Sequence, residues 1–296
     1  MTASTLKRSA RDDYFVLMWN FYDPLYFNGP EKAAKAIARF REMACNGGTL
    51  IATFVNPEEY HRSLETFGLP KANFKLAPMV ASPFRENNFP FYVMNICRPL
   101  YWEWSEAKAV FKKWYEAFER DGDRRVFTRV PCVNNPAVQA AMDRYTAAVM
   151  EGLKGARDLS LLYDLRDEPS IGSFLLATDS CFCEHCMGKM RGWLKERYGD
   201  LAMLNREWGT GFENWEQVEP MPTSSALARR REGNWNFAPW NDHREFMNDS
   251  FLGICRQQAE LIRQHDPDAV VGLAGTQCPW VFGGYDFSKL VPEMDW

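Results

Sequence analysis

Cys181, Cys183 and Cys186 place three thiols inside six residues, thirteen residues downstream of the carboxylate pair Asp167 and Glu168. Zinc needs about four soft ligands in a tetrahedron, and a C-x-C-x-x-C turn can offer three of them from one loop. A fourth ligand must come from elsewhere. Cys132 is the best candidate, because residues 130–136 (Val-Pro-Cys-Val-Asn-Asn-Pro) form a loop just before the helix that leads into the strand carrying the carboxylates. His185, inside the cluster, is a rival ligand. A closed four-thiolate site would be structural, with no position open for substrate. Left without a metal, the same residues would be oxidation-prone surface thiols. Cys45, Cys97, Cys255 and Cys278 lie in or beside apolar elements and read as inert core cysteines.

The carboxylate pair has its own chemistry. An apolar run from Leu159 to Leu165 reads as a buried strand, so Glu168 stands where a strand ends. Barrel enzymes keep their reacting groups at the C-terminal ends of strands. Hydrolysis of a glycosidic bond needs two carboxyl groups, one to protonate the leaving oxygen and one to attack or to activate water. Glu168 is the candidate proton donor, and Asp167 either turns to the other side of the strand end or accepts from a substrate hydroxyl. The sequence Asp167-Glu168-Pro169-Ser170 would equally suit a solvated turn or a helix cap. Further candidates for the barrel mouth are Trp19, Asn20 and Tyr22 after strand one, Asn95 and Arg98 after strand three, and Thr276 and Gln277 after strand five, each of which would equally suit loop packing or an internal hydrogen bond. An arginine there can hold sugar hydroxyls through its fork of donors. Trp102 and Trp104 could form a sugar platform or cover the barrel wall.

These groups need a scaffold, and hydrophobic periodicity supplies one. Strands are expected at Val16–Tyr22, Thr49–Val55, Phe91–Cys97, Leu159–Leu165 and Ala269–Ala274. Helical spacing covers Glu31–Cys45, a short piece from Pro57 to Phe67, Trp102–Arg120, Pro136–Leu153 (capped by Asn134 or Asn135), Met187–Tyr198, Leu201–Trp208 and Asp242–His265. Residues 68–90 read as irregular, with a brief strand at Lys75–Val80, and Glu219–Pro239 as a polar excursion over the surface. Alternation of core-like strands with helices argues for a parallel sheet. Five strands are three short of a closed eight-stranded barrel, which predicts the front part of a longer protein.

Bulk properties narrow the function. A chain of 296 residues with net charge −4 and scattered Lys and Arg lacks the basic face of a nucleic-acid binder. No apolar stretch approaches the roughly 20 residues of a membrane span. The opening residues lack the apolar core of a signal peptide, which predicts a cytoplasmic protein. Eight clustered cysteines fit metal binding in a reducing compartment better than a disulfide framework.

The stretch from Tyr163 to Pro220 resembles the glycoside hydrolase family 42 β-galactosidases. The resemblance is carried by the strand-four Asp167-Glu168, the C-x-C-x-x-C loop, the run from Arg191 to Thr210 (Arg-Gly-Trp-Leu-Lys-Glu-Arg-Tyr-Gly-Asp-Leu-Ala-Met-Leu-Asn-Arg-Glu-Trp-Gly-Thr), Phe212, and Trp215 to Val218. Upstream, Cys132 to Pro136 resembles the family's loop bearing its first zinc cysteine. The resemblance implies an α/β fold, a (β/α)8 TIM barrel with its first five to six strand–helix units present, after an N-terminal tail over residues 1–12. It implies retaining chemistry on β-linked saccharides with Glu168 as general acid/base. The nucleophile would be a Glu ending strand seven, beyond the end of this chain. It also implies a structural Zn2+ on Cys132, Cys181, Cys183 and Cys186, an oligo- or polysaccharide substrate, and a homo-oligomer, since relatives are often trimers; Asp167, Asn95, Arg98 and Trp19 are expected to contact that substrate from their places at strand ends. Asp167 departs from the family, which has Asn there; an amide can donate a hydrogen bond, whereas an ionised carboxylate only accepts. Glu293 and Asp295 are poorly placed to be the nucleophile. The competing expectation is a non-catalytic carbohydrate-binding or scaffold barrel with a structural zinc site.

Overall fold

The computed structural model describes residues 16–19, 30–66, 81–97, 112–113, 116–122, 132–172, 179–275 and 282–295. Among the described residues five strands form one sheet: β1 (Leu17–Met18), β2 (Gly47–Ile51), β3 (Phe91–Met94), β4 (Ser160–Asp167) and β5 (Val271–Ala274). Their spatial order is their order in the chain, and every neighbouring pair is parallel. Consecutive parallel strands must be joined by crossovers on one face, and this succession is that of a (β/α) barrel, here through its first five strands.

Between them lie α1 (Pro30–Glu42), α2 (Ala52–Val55), α3 (Pro57–Thr66), α4 (Ser82–Glu86) and α5 (Pro136–Gly152). After β4 come α6 (Glu184–Tyr198), α7 (Leu201–Trp208), α8 (Thr223–Arg231) and α9 (Ala238–His265), and after β5 the short α10 (Phe287–Leu290). Helix α5 buries Val138, Ala141, Met142, Tyr145 and Val149, an i, i+3, i+4 stripe. Its first turn is capped by Asn135, whose side chain accepts from the Ala137 N–H at 2.9 Å. Against it packs α9, where the Thr146 hydroxyl donates to Gln258 Oε1 at 2.6 Å inside the core. At its far end, the Asp266 carboxylate accepts from the Tyr163 hydroxyl of β4 at 2.7 Å. Helix α7 is closed by the Asp200 cap and by Gly209 in the left-handed region. Among the described residues, no helix is long and apolar enough to cross a membrane.

Several boundaries differ from the sequence expectations. Strand β2 begins at Gly47 and stops at Ile51, where α2 takes over. Helix α1 ends at Glu42, short of the expected Cys45 and before Asn46-Gly47-Gly48, with Ala44 turning the chain at φ +61, and both glycines belong to the sheet: a Cβ on Gly47 would stand 2.5 Å from Leu17 Cδ2. Strand β3 ends at Met94 because Asn95 takes φ +66, although Ile96 and Cys97 still donate to the Asp164 and Leu165 carbonyls. Strand β4 runs on to Asp167, two residues past Leu165, and Glu168 follows immediately. The stretch read as a surface excursion contains α8, with Ala226 its buried residue. That helix starts on a tertiary contact: Asp179 accepts from the Thr223 N–H at 2.7 Å and its hydroxyl at 2.6 Å. Helix α4 likewise lies in a stretch read as irregular. Of the expected helix Trp102–Arg120, the described residues 112–113 and 116–120 are helical; the expected strand Lys75–Val80 and the tail 1–12 fall outside the described residues.

Candidate functional site

Strands β3, β4 and β5 converge on one buried carboxyl, that of Asp164, which has no exposed surface. Its Oδ1 accepts from the Ala274 N–H at 3.0 Å and its Oδ2 from the Asn95 N–H at 3.4 Å. The Tyr92 hydroxyl and the Arg166 guanidinium also bear on it. These contacts replace regular ladder bonds. In the β4–β5 pairing, Asp164 stands opposite Gly272 and Asp167 opposite Ala274, so β4 carries one more residue than its partner over that interval. Such a bulge bends the strand and re-aims the side chains beyond it.

Asp167 and Glu168 sit on the far side of this bulge, both half-buried. The Asp167 N–H donates to Asn95 Oδ1 at 3.0 Å, and the Glu168 N–H to the Ala274 carbonyl at 2.6 Å. Glu168 is held at φ +48, a conformation uncommon for a non-glycine residue and one that an over-determined site can sustain. Gly275 at φ +73 makes room for it: a Cβ there would lie 3.1 Å from Glu168 Cγ. Burial, and then the neighbouring Glu168 charge, push the Asp167 carboxyl up, with Arg166 opposing. The segment after Glu168 is locked to the one after β5, since the Ile171 N–H donates to the Gly283 carbonyl at 2.9 Å and the Tyr285 hydroxyl to the Pro169 carbonyl.

Burial likewise pushes the Asp164 carboxyl up, to about 7, against the pull of the Ala274 and Asn95 N–H groups. The native state therefore holds this proton more tightly than the unfolded chain, whose Asp titrates near 3.9. Its contribution to stability is complete below about pH 4 and is lost as pH rises through about 7. Unfolding free energy should fall by on the order of 3 kcal/mol from this group between pH 5 and pH 8. Urea titrations of the wild type and Asp164→Asn measure this: the variant should lose that component of the slope, and parallel pH profiles would refute it.

Among the other mouth candidates, Trp19 is 53 % exposed and stacks on Tyr92, with ring centroids 6.3 Å apart. Asn95 is buried, with its amide oxygen turned to the Asp167 N–H. Arg98, Asn20, Tyr22, Trp102, Trp104, Thr276 and Gln277 lie outside the described residues. Glu293 pairs with Arg256 on the surface, at 2.6 and 3.0 Å. Asp295 pairs with the start of β5, donating its N–H to the Val271 carbonyl at 2.8 Å. Asp164 was not singled out in the sequence, although a charged residue in the run Leu161-Leu162-Tyr163-Asp164-Leu165 is itself a signal, because a buried carboxylate needs partners.

The four cysteines meet. The Sγ atoms of Cys132, Cys181, Cys183 and Cys186 all lie within 4.8 Å of one another. The Cys132 sulfur is 3.5 Å from that of Cys186 and 3.4 Å from that of Cys183, far beyond a disulfide bond of about 2.05 Å. A tetrahedron with metal–sulfur bonds of about 2.3 Å has edges of about 3.8 Å, close to this spacing. Cys183 caps α6 and Cys186 lies in its first turn, so the positive end of the helix faces the sulfurs. The surrounding thiols, Cys132 foremost, hold Cys183 well below the usual thiol range, with help from the Cys186 N–H; burial drives Cys181 the other way. Asn134 Nδ2 donates to the Cys186 sulfur at 3.3 Å and to Ser250 Oγ at 3.0 Å. His243, fully buried on α9, lies 3.1 Å from the Cys181 carbonyl and stacks on Phe182 at 4.3 Å. The donor set is soft, buried and closed, and could hold a metal ion. His185 stands outside the cluster, 3.8 Å from Glu184. Cys45, Cys97 and Cys255 are buried core thiols as expected, and Cys278 is outside the described residues.

The family model described as β-galactosidase, glycoside hydrolase family 42, matches residues 111–296. A β-galactosidase, BgaB, of Geobacillus kaustophilus is 30 % identical over 145 residues, covering 47 % of this chain and 20 % of that protein. A β-galactosidase, BgaA, of Thermus sp. is 30 % identical over 151 residues, covering 50 % and 22 %. The chain thus spans about a fifth of the length of the curated relatives it matches. Among solved structures, the cold-adapted β-galactosidase of Rahnella sp. R3 superposes with a TM-score of 0.64 at 17 % identity, over 95 % of this chain and 38 % of that one. The family 42 exo-carrageenase of Bacteroides ovatus gives 0.52 at 16 % identity, over 93 % and 34 %. At such identities the superpositions speak to the fold, a TIM barrel.

Proposed function

This chain belongs to glycoside hydrolase family 42, the β-galactosidase family, and from that premise we propose that it hydrolyses β-linked saccharides with retention, using Glu168 as general acid/base. The observation that carries this reading is the placement of Glu168: one residue past β4, beyond a bulge, at φ +48, its backbone fastened to Ala274 and its side chain half-buried beside Asp167. A group so fixed can meet a glycosidic oxygen without reorganising. Glu168 would give its proton to the departing oxygen while a carboxylate at the end of a seventh strand attacks the anomeric carbon. Water would then release the sugar, with Glu168 taking the proton back. Asp167 would accept from a sugar hydroxyl. The exposed Trp19 ring offers an apolar face to a sugar, with Arg98 as a further substrate contact in this reading, whereas Asn95 is buried and spends its amide oxygen on the Asp167 N–H rather than on a sugar.

The cysteine cluster fits zinc by its donor set and spacing. Cys132, Cys181, Cys183 and Cys186 would hold it, and with no ligand position left over it would supply stability to the loop rather than chemistry.

The test is the first-formed anomer. With a β-galactoside and the full-length gene product, NMR during the first turnovers should show the β-sugar appearing before mutarotation. Initial α-sugar would overturn the retaining mechanism, and saccharide binding without turnover would select the non-catalytic barrel.

A further inference from the structure

We propose that Asp164 is a positioning residue for the acid/base step: its carboxyl fills the β4 bulge and so aims Glu168. The proposal rests on the reading of Glu168 given above. Asp164 touches neither Asp167 nor Glu168 through the hydrogen bonds described, but it fastens both groups that do. One oxygen takes the N–H of Ala274, whose carbonyl takes the Glu168 N–H; the other takes the N–H of Asn95, whose side-chain oxygen takes the Asp167 N–H. The two arms run through different strands and meet at consecutive residues. A single buried carboxyl thus fixes the peptide that carries the acid from both sides.

The chemistry requires a carboxyl here. Where β4 gains its extra residue, the N–H groups of Ala274 and Asn95 are given to a side chain, and a buried N–H left without an acceptor is costly. Both are met at once by a side chain with two acceptor oxygens and short reach. Asparagine offers one acceptor oxygen and sets its NH2 against the other N–H. The unsatisfied arm must move, and with it the strand end that holds Glu168 at φ +48. A displacement of about 1 Å in a reacting group can cost on the order of 100-fold in rate.

Loss of aim has a kinetic signature that loss of stability lacks. A substrate with a poor leaving group needs the proton of Glu168; an activated aryl β-galactoside, such as the dinitrophenyl compound, leaves without it. In the full-length protein, Asp164→Asn should lower kcat/KM for an alkyl β-galactoside by on the order of 100-fold. For the activated aryl substrate kcat/KM should stay within a few-fold, while kcat and KM fall together because hydrolysis of the glycosyl-enzyme also needs Glu168; for the alkyl substrate KM should be little altered. Asn95→Gly is the second variant. It deletes the oxygen that holds the Asp167 N–H, and glycine tolerates φ +66, so its fold is the safer of the two. It should show the same split to a smaller degree.

Glu168→Gln, assayed beside them, separates the two claims. If it shows no dependence on the leaving group, the acid/base reading falls. If it does, while the Asp164 and Asn95 variants lose both substrates equally or lose neither, the positioning role falls and the acid/base reading stands. A rise in KM common to both substrates in Asn95→Gly would assign Asn95 to sugar binding and likewise overturn the proposal. Should Asp164→Asn fail to fold, Asn95→Gly decides.

Discussion

Glu168→Gln is expected to lower kcat on a β-galactoside with a poor leaving group by about 10²–10⁴-fold, the usual contribution of a positioned proton donor. The amide is nearly isosteric with the acid, so the backbone tie to Ala274 and the fit beside Gly275, which has no Cβ to crowd it, are kept, and the thermal midpoint should stay within a degree or two. What disappears is the proton. For an activated aryl substrate the first step should proceed, and the glycosyl-enzyme should then accumulate, because its hydrolysis needs a general base. A burst of aglycone followed by a slow steady state is the pattern to seek. Unchanged turnover of the poor substrate would remove Glu168 from the mechanism.

The second large effect concerns the cysteine cluster. Metal analysis of protein prepared without chelator should give one zinc per chain, and Cys132→Ser should abolish it. Cys132 is the thiol with greatest leverage, because it lies before α5, whereas the other three belong to the loop leading into α6 and to its first turn. Joint ligation would tie two segments that are 49 residues apart between Cys132 and Cys181. Apparent binding free energies for structural zinc in small peptides reach about 10–16 kcal/mol. Here α5, α6 and α9 also pack through an apolar core, so a loss of about 3–5 kcal/mol, similar to that of a structural disulfide, is the expected scale. Chelation should reproduce the shift in the wild type and leave Cys132→Ser unmoved. A chain that melts identically with and without chelator, and carries no metal, would leave four clustered thiols without this role.

The cysteine cluster was legible because its signal is local: residue type and spacing alone mark Cys181, Cys183 and Cys186, and the topology of the preceding loop nominates Cys132. The strand order was legible for a similar reason, since buried parallel strands are near-continuous apolar runs. Strand ends were not. Met94 and Ile51 end strands where the apolar pattern continues, because Asn95 takes a positive φ and α2 begins directly after Ile51, neither of which alters that pattern. Helix α8 escaped notice because it buries little and takes its cap from Asp179, 44 residues away in sequence. The placement of Asn95 beneath Asp167 was hidden because it depends on one extra residue in β4, and a bulge leaves no trace in hydrophobic periodicity.

The lock between the segments after β4 and β5 has a consequence for recombination. Ile171 and Gly283 share a backbone bond, and Tyr285 reaches the carbonyl of Pro169, the residue next to Glu168. A chimera that imports one segment from another barrel and keeps its neighbour would strand these donors and acceptors directly behind the acid. Residues 169–171 and 283–285 form one exchangeable cassette, and variation in either is free only when the other follows.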